Sequence, residues 1–260
     1  MNPIQSKTIQ MDGRDVRYYT AGTGDPLVVI HGGGGDARTW WNNIGELARF
    51  YTVYAPDLPG YGGSQRLDGQ YFIPELSTFI DGFTRSLGLD TFHLVGHSLG
   101  GGIAVNYALD FPKRIKKLVL VSSLCLGNEI AFWVRLFCLP ALLKLMGGLA
   151  LAGLKGVKWV FEQLNLKEYV VPISPASVYV GGLITNFKRQ TLVLKNRLSE
   201  LAMPTLLVWG AKDSIIPVMH AYQAAAVMPH AQVKVFSKVG HDVHRDELAG
   251  FSSAVSGFLG

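Results

Sequence analysis

The sequence predicts an α/β protein built on a largely parallel sheet with helices on both faces. Three observations predict it. Short, β-branched apolar runs recur along the chain, bounded by Gly, Pro or Asp. Longer helical patterns separate most of them, and strand–helix alternation is the pattern of a parallel sheet covered on both sides. Of the 260 residues, 48% are apolar and 17% charged, which suits a sizeable core in one large domain and argues against disorder.

The elements follow in order. Residues 16–20 (Val-Arg-Tyr-Tyr-Thr) and 27–30 (Leu-Val-Val-Ile) read as strands. A helix is expected over 39–49, then a strand over 52–55 that ends at Pro56-Asp57. Helix 74–87 stops before Gly88, and strand 92–95 runs into Gly96 and then helix 99–111, which ends before Pro112. Strand 117–121 closes this half. After it, residues 124–201 show helical and irregular stretches with no convincing buried strand. The alternation resumes with strand 205–209, helix 218–228, strand 233–236 and helix 246–259. The expected organisation is a core of residues 1–123 and 202–260, with 124–201 inserted as a cap over the carboxyl ends of the strands, where such sheets place their sites.

Composition narrows the function classes. The net charge of +5 comes without a dense basic run; Lys113, Arg114, Lys116 and Lys117 sit on a connector, so nucleic-acid binding is not expected. Cys125 and Cys138 are too few for a disulfide framework and lack zinc spacing, which points to a reducing cytoplasm. Residues 1–15 are polar, with no apolar stretch of the signal-peptide kind. Residues 136–154 approach the length of a membrane span, but Pro140, Lys144 and Gly147-Gly148 interrupt them. A buried or lid helix is expected there, with peripheral membrane contact through the cap as the lesser alternative.

The strongest chemical signal is Gly96-His97-Ser98-Leu99-Gly100 between a strand and a helix. A serine on a tight strand-to-helix turn projects its hydroxyl above the sheet, and small neighbours make the turn possible. The helix beginning at Leu99 turns its free N–H groups toward a developing oxyanion. No Lys-Ser/Thr pair follows the glycines, and dinucleotide spacing is absent, so this is not a phosphate loop. A second glycine run, His31-Gly32-Gly33-Gly34-Gly35, follows strand 27–30. The Gly33 N–H, with Gly34 as second choice, is expected to join the Leu99 N–H in an oxyanion hole; His31 reads as a loop organiser.

A serine hydroxyl needs a base. Of the seven histidines, His241 lies just after the last strand, at the catalytic end of the sheet, with His244 as fallback. His97 flanks Ser98, His93 lies within a strand, and His220 and His230 border a helix. The acid is expected on a loop after a strand between Ser98 and His241, and Asp213 fits. Asp242 and Asp246 are too near His241 in sequence to reach its ring from a separate loop. Asp57 precedes Ser98 and reads as a turn shaping the site floor. Expected pocket residues are Gly34, His97, Phe132, Trp133, Phe137 and Ile216.

Taken together, His31-Gly32-Gly33, Asp57-Leu58-Pro59-Gly60-Tyr61-Gly62-Gly63-Ser64, Gly96-His97-Ser98-Leu99-Gly100-Gly101, Gly210-Ala211-Lys212-Asp213 and Gly240-His241 resemble the α/β-hydrolase superfamily. The resemblance implies an eight-stranded, mostly parallel sheet, a helical cap after the sixth strand, no cofactor or metal, and a Ser98–Asp213–His241 triad. It is closest to small esterases, monoacylglycerol-lipase-like enzymes and carbon–carbon bond hydrolases of aromatic-ring degradation. Two departures matter: dehalogenases and epoxide hydrolases of this fold carry Asp at the elbow, where this chain has Ser98. Many carbon–carbon hydrolases carry Trp after the catalytic His, where this chain has Asp242. The expected activity is hydrolysis of small or medium hydrophobic esters through an acyl-enzyme. The alternatives are carbon–carbon hydrolysis, using a cap cation such as Arg135, Lys188 or Arg189, and a ligand receptor on the same fold.

Overall fold

The computed structural model describes residues 3–68, 71–137 and 189–260, without the side chains of 133, 136 and 137. Its strands are β1 (Gln5–Met11), β2 (Arg14–Ala21), β3 (Asp25–Ile30), β4 (Tyr51–Pro56), β5 (Phe92–His97), β6 (Ile115–Val121), β7 (Thr205–Gly210) and β8 (Ala231–Phe236). They form one eight-stranded sheet in the order β1-β2-β4-β3-β5-β6-β7-β8. The β1–β2 and β2–β4 pairs are antiparallel and the rest parallel.

All seven expected strands are present. The eighth, β1, was missed because its mostly exposed sequence, Gln-Ser-Lys-Thr-Ile-Gln-Met, has no apolar run. The overlooked signal was Asp12-Gly13, which have φ of 49° and 75°; an Asp-Gly turn with both residues left-handed joins hairpin strands.

The period of two along the strands sorts side chains into two cores. Val28, Ile30, Leu94, Leu118 and Leu120 face one core, Leu27, Val29, Val95, Val119 and Val121 the other. Helices α2 (Ile73–Ser86) and α3 (Leu99–Asp110) pack on the first face. Helices α1 (Trp41–Leu47) and α7 (Leu248–Leu259) pack on the second. The helix expected over 39–49 is a 3₁₀ turn (Ala37–Trp40) followed by α1. Before α7 lie α4 (Phe132–Phe137), α5 (Met219–Ala225) and α6 (Val243–Asp246). The helix expected over 246–259 is therefore interrupted at Glu247, whose φ of −132° and ψ of 48° are not helical.

Between β6 and β7 the described parts of the insertion are residues 124–137, which end in α4, and 189–201, which include a 3₁₀ turn at Lys195–Glu200. Much of the expected cap, including Cys138, Lys188 and most of the apolar segment 136–154, lies outside the described residues. Among the described residues no helix is long and apolar enough to cross a membrane.

Candidate active site

The elbow is built by close backbone packing. Ser98 has φ 53° and ψ −112° at the start of α3, a conformation costly for a residue with a Cβ. Its N–H donates to Val121 O (2.9 Å) at the end of β6, and its carbonyl accepts from Leu124 N (3.1 Å) and Gly102 N (3.1 Å). The glycines around it are sterically required. A Cβ on Gly96 would lie 2.2 Å from Gly100 O, and one on Gly100 would lie 2.4 Å from Ile30 O.

The second glycine loop lies against this turn. A Cβ on Gly32 would be 3.3 Å from Ser98 Cβ, and one on Gly33 would be 3.5 Å from Leu99 Cδ2. The structure thus brings together Gly33 and Leu99, the two expected oxyanion donors. A Cβ on Gly34 would meet nothing within 4 Å, so the loop opens into free space there. His31 organises the loop, as expected. It is fully buried, with Nδ1 2.8 Å from Gly32 O and Nε2 accepting from Leu58 N (3.0 Å). Burial lowers its pKa, which keeps the ring neutral for these two roles. Asp57 is also fully buried, accepting from Ala37 N (2.9 Å), Gly63 N (2.8 Å) and Arg17 Nε (2.6 Å). It ties the turn after β4 to this loop.

Asp213 and His241 meet from separate loops, with Asp213 Oδ2 2.9 Å from His241 Nδ1. Asp213 Oδ1 accepts from Ile215 N (2.8 Å) and Ile216 N (2.9 Å). Burial alone would raise the Asp213 carboxyl; the His241 hydrogen bond and charge, with the Ile216 and Ile215 N–H groups, hold it below the usual Asp value. A charged carboxylate on Nδ1 fixes the proton there and leaves Nε2 with its lone pair. The His241 carbonyl lies 3.1 Å from Nε2 of His97, the residue before Ser98, so the imidazole loop is fastened beside the elbow.

The remaining expected residues divide. His97 is buried, its ring between those of His241 (centroids 4.9 Å apart) and His244 (4.4 Å), so it stands against the His241 loop instead of forming an open wall. Ile216 is fully buried and reaches the site through its N–H. Phe132 on α4 is exposed. The side chains of Trp133 and Phe137 lie outside those described. His244, the fallback base, is fully buried against Trp40 (4.3 Å). Asp213, and neither Asp242 nor Asp246, holds His241.

Sequence reasoning missed Gln190, which is almost wholly buried. Its Oε1 accepts from Cys125 N (2.8 Å), its Nε2 donates to Glu129 O (3.0 Å), and its main-chain N–H donates to Asn128 O (3.1 Å). It joins the two ends of the insertion. A single Gln in an irregular stretch carries no sequence signal for this. Nearby, Ala131 N donates to Ile215 O (2.9 Å) and His220 Nε2 lies 2.8 Å from Glu129 Oε2, which ties the start of the insertion to the Asp213 loop and to α5.

A mostly parallel sheet with a strained serine between strand and helix, and a carboxylate–imidazole pair on later loops, defines the class of α/β hydrolases. A family profile described as alpha/beta hydrolase fold matches residues 25–137 and 150–248, and the chain belongs to this family. It is 34% identical over 260 residues to a dihydrolipoyllysine-residue acetyltransferase component of the acetoin cleaving system from Cupriavidus necator (96% of this chain, 68% of the relative). It is 30% identical over 260 residues to a 2-hydroxy-6-oxo-6-phenylhexa-2,4-dienoate hydrolase from Burkholderia cepacia (94% and 91%). Among solved structures it is similar to Est816, an N-acyl homoserine lactone degrading enzyme, with TM-score 0.77 and 26% identity (97% and 100%).

Proposed function

We propose that this chain is a serine hydrolase that cleaves carboxylic esters of small or medium hydrophobic acyl groups. Ser98 attacks the ester carbonyl as His241 takes its proton at Nε2. The Gly33 and Leu99 N–H groups hold the oxyanion, and Asp213 stabilises the imidazolium. His241 then gives the proton to the leaving alcohol, and water releases the acid. The observation that carries this reading is the 2.9 Å Asp213–His241 contact on a loop fastened beside Ser98. The likeness to a lactone-degrading enzyme supports an ester bond as target. The pocket assignment of Gly34 rests on the free space before it.

The hydrolase from Burkholderia cepacia favours a second reading, hydrolysis of a carbon–carbon bond in a ring-cleavage product. Arg135 on α4 and Arg189 are then the described candidates to hold a substrate carboxylate.

A fluorophosphonate probe separates the site from its alternatives. It labels the wild-type chain and not Ser98→Ala, which loses about 10⁶ in kcat. Labelling elsewhere, or retained turnover in Ser98→Ala, refutes the nucleophile. A panel of p-nitrophenyl esters against a ring-cleavage diketone then decides the bond.

A further inference from the structure

Behind the His241 loop lies a second group of chemically active side chains that ester hydrolysis does not use. His97, Asp242 and His244 each present a ligand atom, and these atoms all lie within 4.8 Å of one another. We propose that they form a binding site for a divalent transition-metal cation of the zinc type, set directly against the base's loop.

The donor set is the first support. Two imidazoles and one carboxylate suit a borderline cation such as Zn²⁺, while Mg²⁺ and Ca²⁺ prefer all-oxygen sites. The state of His244 is the second. Its side chain is fully buried and, among the described residues, neither Nδ1 nor Nε2 has a hydrogen-bond partner. Leaving a buried ring nitrogen unsatisfied is unfavourable, and a metal ion would take up its lone pair.

Geometry sets the approach and the consequence. The Asp242 side chain is 45% exposed, giving the ion a solvent-facing entry, and its Oδ1 lies 3.7 Å from His97 Nε2. Zinc–ligand bonds of about 2.0–2.2 Å put tetrahedral ligand atoms about 3.3–3.5 Å apart. His97 Nε2 also faces His241 O at 3.1 Å. That nitrogen can give a hydrogen to the carbonyl or a lone pair to a metal, not both. Occupancy therefore releases the His241 loop from the elbow; this consequence, unlike the site itself, rests on His241 being the base.

The test is calorimetric titration of the chelator-treated full chain with ZnCl₂, with MgCl₂ in parallel. The expected result is one Zn²⁺ bound per chain and no Mg²⁺. Asp242→Asn, at an exposed side chain, and His244→Phe, which keeps an aromatic ring against Trp40, each weaken Zn²⁺ binding by about 100-fold, at least the loss seen when a supporting partner is removed. No Zn²⁺ binding by the wild type, or equal binding by folded Asp242→Asn, overturns the site. In a parallel p-nitrophenyl butyrate assay, Zn²⁺ suppresses wild-type turnover and spares Asp242→Asn. Binding without suppression keeps the site and overturns only its link to His241.

Discussion

At the scale of single residues, burial sets the protonation of the histidines around the elbow. His244 faces His97, His241 and Arg245, all positive when charged, and its pKa lies well below 6.5. His97 lies at about 4, with Asp242 and Asp213 as the opposing charges. Both shifts are downward, so the unfolded chain takes up protons that the folded chain refuses. Their stability contribution is complete above about pH 6.5, the unfolded value, and is lost as pH falls toward the folded values. The expected outcome is a thermal midpoint that falls between pH 6.5 and 4. His244→Phe flattens part of that fall. A wild-type midpoint constant over this window contradicts the buried, neutral assignment.

At the scale of elements, the strand–turn–helix unit β5–Ser98–α3 depends on glycines whose positions admit no side chain. A methyl on Gly100 would press on the carbonyl of Ile30, which cannot move without disturbing β3. Gly100→Ala is expected to cost about 1–3 kcal/mol or more, a fall in Tm of roughly 2–12 °C for a chain of this size. Gly34→Ala meets open space and should leave Tm unchanged, altering only the KM for bulky esters. Calorimetric scans of the two variants check the contrast. This unit was legible in the sequence because its chemistry is local: a β-branched run, a Gly-x-Ser-x-Gly turn and a helix in succession. The Asp213–His241 pair was legible for a similar reason, since each residue follows a strand. The contacts of His97 and His244 were not, because ring packing between the end of β5 and residues more than 140 positions further along the chain has no local signature. Strand β1 escaped because an exposed strand lacks apolar alternation, although its Asp12-Gly13 turn was visible.

At the scale of the whole molecule, Gln190 fastens the insertion to itself. It is nine-tenths or more buried, and its side chain takes up a main-chain N–H and a carbonyl at the other end of the excursion. Gln190→Leu strands both groups, at about 1–3 kcal/mol each. Limited proteolysis should then cut within residues 122–204 sooner, while the core strands remain protected. Equal cleavage rates in both proteins would remove Gln190 from this role. The break between β6 and β7 was legible where strand patterns stop and resume; the fastening was not, because it is made by one polar side chain against main chain.

The sheet is indifferent to what happens between β6 and β7. Those strands pair in parallel from Leu118↔Thr205 to Val121↔Val208, although residues 122–204 intervene. Closing so long an excursion costs little more when it lengthens: each doubling adds only about 0.6 kcal/mol. Adding or removing residues in that excursion therefore costs little, while the pairing of β6 with β7 holds the Ser98 turn and the Asp213 loop in place.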